Sequence, residues 1–365
     1  MAIEFVLYTS EWEPAVGRFN QRMLDGKAAT DFGIPRNAGT VRTAPVRQQH
    51  FLATEGDEVR GGMIILEHPA VVTAEGIRRT ESVTNFQSPL SEGIIDPKYS
   101  MVAIQFIRWA LKRCPYANVV GMGHIDNPLP RLLKAAGWTV RPVPFFFNLL
   151  HPARAIRELQ PLRAKPVVRA AGLIGAYTGL AGIALKFVQR PRVSNDGYSA
   201  TRALELTAID DALWQDVQER VSFGVVRNGA TLPTYLAKDT ERHYVSQKES
   251  IRGWFSMVVA QNRSHSYFGN LKVATLVDIV AATMGESAIV ARLAVDTARG
   301  AGCDIVVSNQ MSAEAQQGLR AAGFIPYRSN YLFASSKALT LAMNDATGFV
   351  SRQDGDGLVN LRGPK

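Results

Sequence analysis

Three ionisable side chains stand where they could transfer a proton. Glu92 comes just before an apolar pair, His124 follows a Gly-Met-Gly run, and Asp278 lies inside an apolar stretch. A histidine titrates near neutral pH, and a carboxylate in so apolar a stretch must be paired, exposed at an edge, or have a raised pKa. These residue types predict acid–base chemistry. The alternatives are a solvated acid at a strand end, a hydrogen-bonded loop histidine and a structural aspartate.

Other kinds of site leave no signature in the sequence. It contains no Gly-x-x-x-x-Gly-Lys-Ser/Thr loop, no His-Glu-x-x-His, no Gly-x-Ser-x-Gly and no Gly-x-Gly-x-x-Gly after a strand. The six histidines do not cluster as metal ligands, so we expect no metal. The two cysteines, Cys114 and Cys303, each precede an apolar run, which is typical of small buried residues in a reducing compartment.

The elements that must position these residues follow one order in each half of the chain. Residues 49–54 and 59–66 are predicted to form an antiparallel hairpin, and residues 253–260 and 271–281 a second one. Each hairpin precedes a helix, an apolar strand, a helix ending at a glycine and a final strand. This order predicts an α/β fold, with a mixed sheet carrying helices on both faces.

An internal repeat supports the same organisation. The block Leu-Lys-Ala-Ala-Gly-Trp at 133–138 recurs as Leu-Arg-Ala-Ala-Gly-Phe at 319–324, and each copy precedes a strand pattern rich in aromatic residues. A tandem duplication of one fold explains both the length of the chain and the spacing. We therefore predict one domain at 1–150 and a similar one at 201–345. A linker at 151–200 joins them, and a flexible tail follows at 346–365.

Length and composition agree with two folded domains. The 365 residues exceed the roughly 250–300 at which one core stops growing. Hydrophobic residues make up 46% of the chain and charged residues 20%, which excludes a largely disordered protein. The net charge of +9 favours anionic partners such as nucleic acid, phosphorylated substrates, nucleotide cofactors or a lipid surface.

Most of the net positive charge lies between the two predicted domains. Residues 151–202 hold nine of the basic residues and two acids, and they enclose an uncharged run at 170–185. Its glycines, at 172, 175, 179 and 182, would share one face of a helix. The run is too short and too weakly apolar to predict a transmembrane helix. It is either a linker helix or an interfacial segment whose flanking residues, at 154–192, meet anionic lipid.

The order of elements resembles that of the GNAT superfamily of N-acyltransferases. The stretch from Asn127 to Gly137-Trp138 is similar to a conserved region of that family, and the stretch from Asn309 to Gly323-Phe324 is similar to it again. The first half looks like tandem GNAT-like proteins of bacterial cell-surface polysaccharide synthesis, on the motifs Arg-Gly-Gly at 60–62 and Pro-Phe-Phe-Phe at 144–147. The tandem arrangement also resembles that of the FemABX aminoacyl-transferases.

The resemblance implies acyl-CoA as co-substrate, bound by its pyrophosphate at a helix start. The family's usual Gln/Arg-x-x-Gly-x-Gly/Ala motif is missing, since the matching stretches are 98–103 and 283–288. Asp96-Pro97 still makes a good helix start beside Lys98, whereas Glu286 would repel a phosphate in the second half. We therefore expect the donor in the first half, against five residues: Lys98, Tyr99, Ser100, Met101 and Asn127.

The same resemblance implies that the acceptor amine loses a proton to a base near the central strands. Glu92 is the first candidate for that role, followed by His124 and Asp278. The family's usual tyrosine acid is replaced in both halves, which leaves Tyr331 as a substitute or as a core residue.

The expected function is N-acyl transfer from acyl-CoA, in particular acetyl-CoA, to a small-molecule or glycan acceptor in cell-surface polysaccharide synthesis. The first residues lack a signal peptide, so we expect a cytoplasmic protein, held loosely at the inner membrane face. Two alternatives stay open. One is an aminoacyl-tRNA-dependent, FemABX-like transferase, although the clustering of the charge makes nucleic acid a weaker partner. The other is a GNAT-like scaffold without activity.

Overall fold

A computed structural model of the chain describes residues 2–27, 33–36, 45–74, 76–121, 123–160, 187–203, 208–236, 239–343 and 348–355. The run at 170–185, predicted as a linker helix or an interfacial segment, lies outside these residues. None of the helices that the structure describes is long and apolar enough to cross a membrane.

Sixteen strands and nine α-helices lie within the described ranges. The strands are β1 Glu4–Leu7, β2 Arg47–Glu55, β3 Glu58–Ala74, β4 Ile77–Ser91, β5 Ala117–Gly121, β6 Thr139–Pro142, β7 Phe145–Leu149, β8 Tyr198–Arg202, β9 Phe223–Val225, β10 Glu241–Gln247, β11 Ser250–Gln261, β12 Lys272–Ala281, β13 Ile305–Asn309, β14 Ile325–Tyr327, β15 Leu332–Ser335 and β16 Gly348–Phe349. The helices are α1 Glu13–Asp25, α2 Val102–Arg113, α3 Pro128–Ala135, α4 Pro152–Glu158, α5 Ala208–Gln218, α6 Leu232–Tyr235, α7 Met284–Gly300, α8 Ala313–Ala321 and α9 Lys337–Ala342.

The chain divides into two compact units, each made of two segments. Unit 1 comprises Met1–Arg141 and Leu332–Ala346, and unit 2 comprises Pro142–Tyr331 and Thr347–Lys365. Both units hold a mixed sheet with helices packed on it, so the predicted α/β class is confirmed.

The sheet of unit 1 runs in the order β1-β2-β3-β4-β5-β15-β6. Strands β1 to β4 are antiparallel neighbours, and β4 and β5 are parallel. Helix α1 packs on one face through Val16 and Phe19, in a cluster with Leu52. Helices α2 and α3 cover the other face, where Phe106 and Leu133 are buried. The alternation of side chains along each strand therefore supplies two cores, one on each face of the sheet.

The sheet of unit 2 has the matching order, β8-β10-β11-β12-β13-β7-β14. Its parallel pair is β12 and β13, which stay in register from Val273↔Ile305 to Leu276↔Ser308. Helices α7 and α8 bury one face of the sheet.

The last strand of each repeat lies in the sheet of the other unit. Strand β7 follows β6 along the chain, yet it pairs with β13 and β14 in unit 2. Strand β15 follows β14, yet it pairs with β5 in unit 1. Phe146 and Phe333, one on each strand, are almost completely buried. The division by contacts thus differs from the predicted boundaries near residues 150 and 201, because an apolar strand pattern does not tell which sheet edge the strand will join.

The described end of the chain is buried in unit 2. Strand β16 pairs in parallel with β9, and a short 3₁₀ turn follows at Arg352–Asp354. Ser351 and Asp354 form a reciprocal capping box at this turn. The prediction of a flexible tail from residue 346 therefore does not describe residues 348–355, all of which are buried.

Candidate functional site

The two parallel strands of unit 1, β4 and β5, pair over only two residues and then continue without pairing with each other. They pair only at Thr84↔Ala117 and Asn85↔Asn118. Beyond that point β4 continues through residues 86–91 and β5 through residues 119–121, and β15 pairs with the other edge of β5. We call the space between 86–91 and 119–121 the unit 1 cleft. It lies at the carboxyl ends of parallel strands, where open α/β sheets place their ligands.

Helix α2 begins at this cleft with amide groups that no side chain caps. Asp96 accepts a hydrogen bond from the Lys98 amide at 2.9 Å, which turns the chain ahead of the helix. Met101, at the N-cap position of α2, makes no side-chain capping bond and is half exposed. The first amides of a helix have no partner within it and carry the positive end of its dipole. Together with exposed Lys98, this end of α2 suits a phosphate.

Glu92 is held by two arginines. Its carboxylate accepts hydrogen bonds from Arg22 Nε at 2.7 Å and from Arg60 Nη1 at 3.0 Å, and its side chain is only 5% exposed. These pairs fasten the turn after β4 to α1 and β3. Glu92 therefore has a structural role in this turn, because both of its carboxylate oxygens already accept hydrogen bonds from guanidinium groups.

Lys98 and Tyr99 extend that charged network. Tyr99 Oη donates to Glu55 Oε2 at 2.7 Å, and Lys98 Nζ donates to Tyr99 Oη at 3.0 Å. The hydrogen bond from Tyr99 lowers the pKa of Glu55, and the charges of Lys98 and Arg60 lower it further. The hydrogen bond between Lys98 and Tyr99 raises the pKa of Lys98. Of the predicted donor contacts 98–101, Tyr99 is buried, whereas Lys98, Ser100 and Met101 are exposed.

His124 and Asn127 lie on the loop between β5 and α3. Both are exposed, and the Asn127 carbonyl accepts the first hydrogen bond of α3, from the Arg131 amide at 3.2 Å. Because β4 and β5 are parallel, this loop and the start of α2 lie at the same edge of the sheet. His124 and Asn127 therefore lie at the same end of the sheet as Lys98, Ser100 and Met101.

The corresponding place in unit 2 is filled by protein. Helices α7 and α8 touch, since a Cβ atom at Gly318 would lie 2.6 Å from Ser287 Oγ. The space left beside the ends of β12 and α8 is about 10 Å³, lined by Ile279, Ser312 and Phe349 among others. A void of that size holds about one water molecule.

Two arginines close the mouth of this filled cleft. Arg220 donates to the carbonyls of Ala281 and Ala282 at 2.9 Å and pairs with Glu314 of α8 at 3.3 Å. Arg252 pairs with Glu286 in the first turn of α7, where Thr283 caps the helix. The helix start that would receive a phosphate in unit 2 is thus occupied by the chain's own side chains. Sequence reasoning singled out Glu286 but missed Arg220, which carries no motif.

Asp278 belongs to a buried charge cluster with Arg227 and Asp354. Arg227 Nε lies 2.9 Å from Asp278 Oδ2, and its Nη2 lies 2.8 Å from Asp354 Oδ1. Burial raises the pKa of Asp278, the charge of Asp354 adds to that effect, and Arg227 opposes it. The cluster holds the segment at 348–355 against β12. Asp278 lies within β12, opposite Ser256, and Glu92 lies beyond the end of β4, so they are not equivalent residues.

Tyr331 is also a buried residue of unit 2. It is 5% exposed, and the guanidinium of Arg352 lies 5.1 Å from its ring centroid. The four predicted catalytic residues are thus distributed over the two units, with Glu92 and His124 in unit 1, and Asp278 and Tyr331 in unit 2. Among the described residues, no three His, Cys, Asp or Glu side chains are grouped so that they could hold a metal ion.

Two solved structures with the same fold are distant in sequence. A GCN5-related N-acetyltransferase from Anabaena variabilis is 10% identical with a TM-score of 0.51, over 91% of this chain and 72% of its own. N-myristoyltransferase from Saccharomyces cerevisiae is 10% identical with a TM-score of 0.50, over 91% of this chain and 79% of its own. No family model and no curated protein matches the sequence. Both matches span nine-tenths of the chain and show that it shares their fold, and the matching strand orders of its two sheets confirm the predicted tandem arrangement.

Proposed function

We propose that the protein is an N-acyltransferase that binds acyl-CoA in the unit 1 cleft. The observation that carries this proposal is a contrast between the units. The unpaired ends of β4 and β5 lie beside a helix start that no side chain caps, whereas Thr283 caps the matching helix of unit 2 and the space beside it is about 10 Å³. The GNAT-like fold supports the reaction class.

The residues of unit 1 fit the chemistry of a CoA ester. The pyrophosphate is a dianion, and the first amides of α2 with the Lys98 ammonium offer hydrogen bonds and positive charge. The arm that follows carries two secondary amides. The edge of β4 over residues 86–91, which pairs with no residue of β5, offers backbone groups for them.

Proton transfer in unit 1 has one candidate that is exposed at the cleft edge. Glu92 is committed to Arg22 and Arg60, whereas His124 lies on the loop at the end of β5. A histidine there can accept the proton of an attacking amine. Asp278 and Tyr331 are buried in unit 2, where Asp278 anchors the chain end.

The acceptor that we propose is the amine of a sugar or glycan precursor of cell-surface polysaccharide, on the resemblance of the motifs at 60–62 and 144–147. We also propose a cytoplasmic location, with the basic stretch 154–192 facing an anionic membrane. The filled cleft of unit 2 favours a second candidate role for that unit, as a scaffold that takes no acyl donor.

Thiol release tests the proposal. Acetyl-CoA should release free thiol in the presence of an amino-sugar nucleotide and not with the N-acetylated sugar, and His124→Ala should slow release about 100-fold or more. Transfer RNA added at low salt should not compete. The proposal fails if no CoA thioester binds, and it shifts to the aminoacyl-tRNA reaction if transfer RNA is retained with a steep salt dependence.

A further inference from the structure

Where the β4–β5 pairing ends, two buried polar atoms of unit 1 have no hydrogen-bond partner among the described residues. They are Thr84 Oγ1 and Asn85 Oδ1, and both residues are at most 1% exposed. Thr84 and Asn85 are the two residues of β4 that pair with β5, just before the two strands separate. Buried polar atoms are normally satisfied, so two at one place mark a position that requires an explanation.

Asn85 is held in place by a second buried asparagine. Its Nδ2 donates to Asn118 Oδ1 at 2.5 Å, and Asn118 is 2% exposed. Asn118 in turn lies beside Ser335 of β15 in the sheet. Because the amide nitrogen of Asn85 already donates to Asn118, the side chain is held in one orientation, and its amide oxygen is the atom without a partner. A side-chain amide oxygen accepts hydrogen bonds only, so its missing partner is an N–H or O–H donor.

In unit 2, two polar residues at the end of the parallel pairing bind groups of the chain itself. Ser308 Oγ donates to the Leu276 carbonyl at 2.8 Å, and Gln310 Nε2 donates to Ser308 Oγ at 3.2 Å. The chain's own end then joins the same edge, as Ser351 bridges to Gln310. Ser308 and Gln310 of unit 2 are thus satisfied by the chain itself, whereas the amide oxygens of Asn85 and of Asn309, the next residue of β13, are buried without a partner among the described residues.

We propose that Asn85 is a substrate-binding residue of the unit 1 cleft, whose Oδ1 accepts a hydrogen bond from an N–H group of the bound substrate. Asn118 is the positioning residue that holds it. The inference rests on the proposed function and deepens it by locating the inner end of the substrate at the Asn85–Asn118 pair. The N–H belongs either to a secondary amide of the CoA arm or to the acceptor amine, and the two sources give different results in the test.

The test compares Asn85→Leu with Thr275→Val, a buried polar-to-apolar change on the parallel strand β12 of unit 2. CoA and acetyl-CoA are titrated by calorimetry, and thiol release is followed with an amino-sugar nucleotide as the amine probe. If the CoA arm supplies the N–H, Asn85→Leu weakens CoA binding about 10-fold, as expected for one lost hydrogen bond. If the acceptor supplies it, CoA affinity is unchanged and KM for the amine rises about 10-fold while kcat changes little. Thr275→Val changes neither quantity.

A second measurement needs no variant that might fold poorly. In the wild-type protein, the side-chain amide resonances of Asn85 and Asn118 should shift on saturation with CoA or with the amine probe, and those of Asn148 in unit 2 should not. The inference is overturned if these resonances stay in place and Asn85→Leu binds and turns over like the wild type, since a water molecule then satisfies the oxygen. Failure of the wild type to bind any CoA thioester overturns the proposed function itself, and this inference with it.

Discussion

The two units share one strand order, yet they differ at the place where their parallel strands stop pairing. In unit 1 the strands part after Asn85 and Asn118, and the start of α2 stays uncapped by side chains. In unit 2 the strands part after Leu276 and Ser308, but helices, arginines and the chain's own end fill the space. A repeated fold thus specifies where a ligand site can form, and a few side chains decide whether it is open.

The filling of unit 2 depends on interactions that unit 1 lacks. Gly318 lets α8 approach α7 at Ser287, because any side chain there would collide with it. Arg227 lies fully buried between Asp278 and Asp354 and fixes the last described segment. Unit 1 places its charges differently, around Glu92 and at the turn that leads into α2. There the network supports the turn that leads into a helix start without a side-chain cap.

Loss of the buried arginine should have the largest effect on this contrast. Arg227→Met leaves two carboxylates buried without their partner, so we expect the free energy of unfolding to fall by about 3–5 kcal/mol. Urea denaturation measures it. Arg299→Met, which removes an exposed pair with Asp296, is the control and should cost less than about 0.5 kcal/mol. Equal costs for the two variants would show that the cluster does not hold the segment.

The exchanged strands give a prediction of nearly the same size. Phe333→Ala empties a buried position of unit 1, although the residue belongs to the second repeat, and should cost about 3–5 kcal/mol. Native-state hydrogen exchange should speed up in β5 and much less in β13. Phe146→Ala should do the reverse. Faster exchange in β13 on changing Phe333 would contradict the strand assignment.

Glu92→Gln should separate a supporting role from a catalytic one. A neutral amide cannot keep both arginine pairs, so we expect a loss of about 1–3 kcal/mol in unfolding free energy. We expect kcat for acyl transfer to stay within about threefold of the wild type, whereas loss of a general base would lower it about 100-fold or more. Glu58→Gln, which breaks a more exposed pair with Arg22, is the stability control. A large fall in kcat with unchanged stability would restore Glu92 as the base.

Lys98→Ala should produce the smallest effect. The lysine is exposed, so we expect about fivefold weaker binding of CoA, measured by calorimetry. Acetyl-pantetheine lacks the pyrophosphate, and its binding should not change. Lys272→Ala in unit 2, which removes another lysine near a helix end, should leave both ligands unaffected. Equal weakening for CoA and acetyl-pantetheine would contradict a phosphate contact.

Sequence reasoning reached the fold through the repeat and missed what long-range pairing decides. The blocks at 133–138 and 319–324 predicted two similar units because local patterns fix helix ends and strand starts. No pattern could show that β7 and β15 exchange sheets, because Phe146 and Phe333 would be equally buried in either one. Glu92 and Asp278 were found as carboxylates next to apolar residues, but their partners Arg22 and Arg227 are 70 and 51 positions away. Asn85 carries no motif, and only its unsatisfied oxygen draws attention to it.

The number and position of bound CoA molecules tests the central claim most directly. Calorimetric titration with acetyl-CoA should give one site per chain, and hydrogen exchange of the saturated protein should show protection at residues 98–105 in unit 1. Residues 284–290 of unit 2, at the start of α7, should exchange as in the free protein. Two sites per chain, or protection at 284–290 instead, would contradict the account.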